Sequence, residues 1–273
     1  VKSKVEAFYD KEAPAYDEEY EKDPFYTRIY KPITWDNIKR FLPPEGGLIL
    51  DAGGGTGHWA IPLARLGYYV VLTDISQGML DVALRKVEAE GLTDRVEIMR
   101  LDICDMSPLP DEHFDLVMAQ GDPISYCGDP EAAVREMTRV AKRGAYVIAS
   151  VDSRFQVIHY MRELDFDSAE AFLEDGEDEW PAEDPSLRFP FHAFTVSELK
   201  ALFERNGLRV VRVLGKPVFF HRLPEEVRKA VLSDEEALKR LLEIEMKYAD
   251  DPGWAGSGVH IEIVGIKEGW KDA

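Results

Sequence analysis

Cysteine is nearly missing from this 273-residue chain. Cys104 and Cys127 are the two, and neither stands in a C-x-x-C pair. That argues against a disulfide framework or a cysteine-based metal site and fits a reducing cytoplasm. Amides are thin too: Asn37, Asn206, Gln77, Gln120 and Gln156 are all there are. Such side chains become scarce, and charges multiply, in proteins of hot environments, so a thermophilic source is expected. No apolar run reaches 18 residues, so no membrane-spanning helix is expected. The first residues, Val1-Lys2-Ser3-Lys4-Val5-Glu6, lack the apolar centre of a secretory signal. Positive charge is short: 33 Lys and Arg face 52 Asp and Glu, a net charge of -19. Binding to nucleic acid draws on clustered cations, so this balance disfavours nucleic acid and anionic membranes as partners. The histidines are isolated and no H-E-x-x-H occurs, so no metal is expected.

What remains is a globular composition, 45% hydrophobic and 31% charged, with ample material for a core. The first forty-odd residues interleave charges with Phe8, Tyr9, Tyr16, Tyr20, Phe25, Tyr26, Tyr30, Trp35 and Phe41. Pro14, Pro24 and Pro32 break them into short helices. Pro43-Pro44-Glu45-Gly46-Gly47 is a loop.

Strand and helix patterns then alternate. Apolar strands are predicted at Leu48–Leu50, Tyr69–Thr73, Val96–Leu101, Phe114–Ala119 and Ala145–Val151. Helices are predicted at His58–Leu66, from Ser76 to Ala89, and from Asp129-Pro130 through Val140. Such alternation means a parallel sheet covered on both faces, with ligands beyond the carboxyl ends of the strands. Asp51, Asp74, Asp102, Gln120 and Asp122 fall at or just after those ends. Past Val151 the alternation breaks. Residues 163–184 hold eleven acids and no base. This run reads as a solvated face, with a preference for a cationic substrate such as an amine as the alternative. A helix at Val196–Asn206 capped by Thr195, a strand at Leu208–Leu214, a helix or helix pair at Pro224–Tyr248 and a last strand at His260–Ile266 complete the chain. The expected division is a helical lid at 1–44, an α/β core at 45–151, an acidic cap insertion at 152–194, and a completing segment at 195–273 with a helical insertion at 224–248.

Asp51-Ala52-Gly53-Gly54-Gly55-Thr56-Gly57 follows a strand and opens a helix. Glycine there allows a tight turn and close approach of backbone to a ligand. A dinucleotide fingerprint would need a third glycine at position 58, where His58 stands. The spacing is G-x-G-x-G after an acid instead.

Together with Asp74 and Asp102, this stretch resembles the class I S-adenosylmethionine-dependent methyltransferases, nearest their small-molecule, UbiE-like branch. The likeness covers residues 48–151 well. It extends loosely to the tyrosine-rich start and to His192–Leu214. It implies a Rossmann-like, doubly wound, mostly parallel seven-stranded sheet and S-adenosyl-L-methionine as cofactor, with S-adenosyl-L-homocysteine as product. Asp51, Gly53, Gly55 and Gly57 would form the loop cradling the methionine and ribose. Asp74 would hold the ribose hydroxyls and Asp102 the adenine amino group. Ile103, Ile75 and Met79 would pack on the ring, and Gln120 would border the methyl. An N-terminal arginine pairs with the cofactor carboxylate in relatives, which points to Arg28. Tyr16, Tyr20, Tyr26 and Tyr30 would enclose the sulfonium, since aromatic faces attract cations.

Methyl transfer is mostly alignment of a lone pair with water excluded, and a base is needed only for a protonated nucleophile. Asp122 and His192 are the catalytic candidates, with His159 and His221 behind them. Trp180, Phe189, Phe191, Phe219 and Phe220 are candidates for an apolar substrate wall. The expected function is methyl transfer to a small or medium-sized acceptor. The rivals are a tRNA- or protein-modifying enzyme of the same fold and a non-catalytic cofactor sensor.

Overall fold

The computed structural model describes residues 3–157 and 166–268. Short helical pieces come first: α1 (Lys4–Glu12), α2 (Tyr16–Lys22), a π-helical turn (Tyr26–Tyr30) and α3 (Lys31–Arg40). The alternating part follows as β1 (Leu48–Ala52), α4 (Ala60–Arg65), β2 (Tyr69–Asp74), α5 (Gln77–Ala89), β3 (Val96–Arg100), β4 (Phe114–Ala119), α6 (Pro123–Tyr126), α7 (Pro130–Val140) and β5 (Ala141–Asp152). Then come α8 (Arg154–Val157), α9 (Phe166–Asp175), the short strands β6 (Glu177–Glu179) and β7 (Pro190–His192), α10 (Val196–Arg205) and β8 (Leu208–Lys216). The chain closes with α11 (Glu225–Ser233), α12 (Glu235–Tyr248) and β9 (His260–Lys267).

Seven strands form the central sheet in the order β3-β2-β1-β4-β5-β9-β8. The first five pair in parallel, while β9 runs antiparallel between β5 and β8. Strand order reverses between β1 and β4, where open α/β sheets hold their ligands. The central parallel strands β1 and β4 are almost wholly buried, with Ile49, Leu50, Leu116, Val117 and Met118 at 0% exposure. Apolar clusters cover both faces, one under α7 and α10 and the other under α3, α4 and α5.

The helix starts are set by local chemistry. Ser76 accepts from the Met79 N–H, and Asp129 accepts from the Ala132 N–H with Pro130 at the first helical position. Thr195 and Glu198 form a reciprocal capping box. One difference from the sequence expectation has a physical cause: the helix expected from His58 begins at Ala60, because Gly57 sits at φ 81° and the turn must first unwind. Of the helix or helix pair expected near the end of the chain, the pair is found, divided at Asp234, which is extended and accepts from the Glu236 and Ala237 N–H groups to cap α12.

Above the carboxyl edge of the sheet, α1 and the β6–β7 hairpin meet. Phe8 and Tyr9 pack against Phe189, Phe172, Phe191 and Trp180. Phe189 is wholly buried, a gain of roughly 2–3 kcal/mol over leaving it in water. Among the described residues no helix is long and apolar enough to cross a membrane.

Candidate active site

The glycine loop is shaped by left-handed backbone. Gly53 and Gly55 lie at φ 69° and 54°. A Cβ at Gly53 would stand 2.7 Å from Pro123, whereas one at Gly55 would meet no protein atom within 4 Å. The loop is pinned by its neighbours on β2. Gly54 donates to the Thr73 carbonyl at 3.0 Å, and the Gly55 N–H donates to Oδ2 of Asp74 at 2.9 Å. The other Asp74 oxygen accepts from the Ser76 N–H at 2.8 Å. Burial nevertheless pushes the Asp74 carboxyl up to about 6. Asp102, after β3, turns one oxygen to the Cys104 N–H at 2.9 Å.

These groups border one cavity of about 400 Å³. Of the residues expected from sequence to hold a cofactor, Tyr16, Gly53, Gly55, Asp74, Ile75, Met79, Asp102, Ile103 and Gln120 line it. Tyr9, Tyr26, Tyr126, His58 and Phe189 line it too. Burial and the nearby Lys31 and Lys86 charges hold the His58 imidazole down to about 4, so it is neutral at pH 7.

Asp51 and Gly57 stand behind the loop instead. The Asp51 carboxylate is wholly buried against Gly54, and burial raises it to about 7 against the pull of the Ala60 backbone N–H. Gly57 packs on Ile61 and Leu72.

Two expectations need correction. Arg28 does not reach the cavity. It donates to the Leu232 carbonyl and pairs with Glu235, tying the π-helical turn to the α11–α12 junction. The turn points that side chain outward. His192 also lies outside, on β7, with Nδ1 2.6 Å from a Glu177 oxygen and its ring 4.4 Å from that of Phe194. Phe219 and Phe220 pack with Phe25, α11 and α12 rather than at the cavity, and His221 sits on the turn between them and α11. His159 lies outside the described residues.

Asp122 is just past the wall, next to the lining residues Gly121 and Pro123, at a left-handed φ of 67°. Its carboxylate accepts from Ser150 and lies 2.8 Å from His260 Nδ1. Burial would raise it, but His260, then Ser150 and Lys216, hold it below the usual carboxylate range. Burial would lower His260, and the Asp122 and Asp152 charges overcome this and raise it. Asp152, 3.8 Å from the same ring nitrogen, is pushed up to about 7 by burial and by the Asp122 charge.

His260 and Asp152 were not legible as site residues. Their meeting depends on the β5–β9 pairing, which sets Asp152 opposite His260. Among the described residues this trio is also the one grouping whose oxygens and nitrogen all lie within 4.8 Å, as a metal site would require. Beneath it, Lys216 pairs with Glu262, both fully buried, and donates to Gln120 at 2.9 Å and Thr34 at 3.1 Å.

The four tyrosines are in continuous ring contact, and Tyr16 and Tyr26 among them line the cavity. Tyr16 and Tyr20 are tilted against each other at 4.5 Å between centroids, Tyr20 meets Tyr26 edge-on at 4.3 Å, and Tyr30 lies nearly parallel to Tyr26 at 5.4 Å. The lid is fastened to the core. Asp10 Oδ1 accepts from Ser76 Oγ at 2.6 Å and from the Gly78 N–H at 2.8 Å. Asp17 accepts from Thr56 Oγ1 at 2.5 Å and pairs with Lys86 at 2.6 Å.

A family profile for a methyltransferase domain matches residues 49–144, the glycine loop through the start of β5. The chain is 23% identical over 249 residues to the tRNA 5-carboxymethoxyuridine methyltransferase of Escherichia coli K12, covering 90% of each chain. It is 34% identical over 152 residues to the demethylmenaquinone methyltransferase of Bacteroides fragilis, covering 53% of this chain and 58% of the other. A solved SAM-dependent methyltransferase of Methanosarcina mazei superposes with a TM-score of 0.60 at 19% identity, covering 85% of this chain and 97% of that one. With the sheet order and the loop, these matches support an enzyme of the class I S-adenosylmethionine-dependent methyltransferase type.

Proposed function

We propose that the cavity binds S-adenosyl-L-methionine and that the enzyme methylates a small acceptor in the tyrosine-walled end of the same space. One observation carries this reading: Gly55, Asp74, Asp102 and Gln120, from four successive strand ends, border a single cavity. The residues fit the group. The position a Cβ would take on Gly55 is open, and the Asp74 carboxylate, which faces the Gly55, Ser76 and Ile75 N–H groups, keeps acceptor capacity for a ribose hydroxyl. Asp102 has an oxygen to spare for an exocyclic amine, and Met79 and Ile103 offer apolar faces to a ring.

When bound, the cofactor supplies an electrophilic methyl on a sulfonium and leaves as S-adenosyl-L-homocysteine. The chain's own work is to exclude water and aim the acceptor. Helices α1 and α2 roof the space, which supports their reading as a lid, and the β6–β7 hairpin closes one side as part of a cap. Asp152, beside the Asp122–His260 ion pair at the edge of the cavity, would take a proton from the acceptor, with the pair orienting it.

The relative that acts on tRNA keeps a second reading open, a nucleic-acid acceptor. The test is mass spectrometry of ligands retained through purification, then transfer of labelled methyl into a cell extract. Retained cofactor and label in small metabolites are the expected result. Label in RNA or protein replaces the acceptor half of the reading, and no cofactor binding by calorimetry overturns it entirely.

A further inference from the structure

The charges buried beside the cavity do not cancel. His260 is matched to Asp122 at 2.8 Å, and Lys216 to Glu262. Within this cluster Asp152 is the carboxylate with no cation of its own: it is 8% exposed, lies 3.8 Å from His260, and has the Tyr126 phenol as its side-chain hydrogen-bond partner. An unmatched buried carboxylate is costly unless something positive joins it.

Aromatic rings gather around the same point. The phenols of Tyr9, Tyr20 and Tyr126 all feel the charges of both Asp152 and Asp122. The Tyr9 and Tyr126 rings, 6.5 Å apart, line the cavity. Rings of high electron density around a carboxylate are the setting in which an organic ammonium is held best. An anionic acceptor finds little here. Among the described residues, Lys4 is the one Lys or Arg lining the cavity, and it lies on the lid helix α1.

Resting on the methyltransferase reading above, we propose that the acceptor is an amine, seated as its ammonium between Tyr9 and Tyr126 with Asp152 as counter-ion. The ammonium gives its proton to the Asp152 carboxylate, which frees the nitrogen lone pair. A nitrogen–carbon bond to the methyl then forms as the carbon–sulfur bond breaks, and sulfur keeps that electron pair. The positive charge moves from sulfonium to the new ammonium, so the carboxylates are never stranded. A carboxylate or phenolate nucleophile would be repelled by the same pair.

The test reads binding as well as turnover. Tetramethylammonium, the neutral tert-butanol and the anionic pivalate are titrated calorimetrically into the full chain, with and without saturating S-adenosyl-L-homocysteine. Tetramethylammonium is expected to bind at least tenfold more tightly than tert-butanol, and pivalate not at all. Asp152→Asn is expected to remove that preference. Tyr9→Leu is expected to weaken the cation about tenfold and Tyr9→Phe to leave it, which serves where the aspartate variant does not fold. Equal affinity for the cation and the alcohol overturns the proposal, as does a preference untouched by Asp152→Asn or Tyr9→Leu. Turnover that requires a divalent metal, lost with chelator, also overturns it, because Asp122, Asp152 and His260 then hold an ion. Binding of S-adenosyl-L-homocysteine without cation selectivity sinks this proposal alone; failure of S-adenosyl-L-homocysteine to bind sinks the cofactor reading.

Discussion

Asp74 concentrates two demands on one carboxylate. It receives the Gly55 and Ser76 N–H groups, so it shapes the loop, and it faces the cavity, where a diol would sit. Asp74→Ala is expected to weaken cofactor binding by about 1–3 kcal/mol, the worth of a hydrogen bond to a charged group. The sign of its pH dependence follows from burial. The carboxyl is held at about 6, above its ordinary 3.8, so in the free protein it is charged above pH 6 and protonated below. Cofactor affinity should therefore fall as pH drops through about 6, and Asp74→Asn should flatten that curve in a calorimetric series. Asp122→Asn is expected to lower turnover by about 10- to 100-fold by releasing His260 beside Asp152, while cofactor affinity changes little; equal losses in both make it a structural residue. Asp74, Asp102 and Gln120 were legible because a strand end is a local feature of sequence. His260 and Asp152 were not, since 107 intervening residues and an antiparallel pairing bring them together. Arg28 misled because a charge on an irregular turn has no direction until the helices beyond it pack.

The strands of the central sheet were plainest in the sequence where an apolar run meets an acid, as at Asp51, Asp74 and Asp152. Strand β6 was hidden inside an acidic run whose composition reads as solvent-exposed, and its partner β7 lies beyond that run, where Phe189 and Phe191 anchor the hairpin. The lid helix α1 owes its seat to a missing side chain. Gly78, at the start of α5, lets Asp10 approach so closely that a Cβ would lie 3.1 Å from the Asp10 Cα. Gly78→Ala favours α5 itself by roughly 1 kcal/mol of helix propensity. It is nevertheless expected to push α1 off, raising amide exchange in residues 4–12 and weakening cofactor binding several-fold while α5 keeps its protection. Unchanged exchange in α1 would show that the contact is dispensable.

Across the molecule, the buried Lys216–Glu262 pair joins pieces distant in sequence. Lys216 at the end of β8 touches Thr34 on α3, Gln120 after β4 and Glu262 on β9, and Asn37 donates to Glu262 from above. Removing one partner strands the other charge in the core. Lys216→Met is expected to cost about 3–5 kcal/mol of stability, and the double variant Lys216→Met with Glu262→Leu to recover most of it, as replacement of whole buried pairs commonly does. Denaturant unfolding of the set measures both. That the double variant should fold yet lose the contact to Gln120 separates what the pair does for cohesion from what it does at the cavity.

The roof of the reaction chamber is made from the chain's own opening helices, sewn to the body through Asp10 and Asp17. Exchange of donor and product is expected to loosen those stitches, so turnover is expected to fall as solvent viscosity rises, which initial rates in a viscosity series would check.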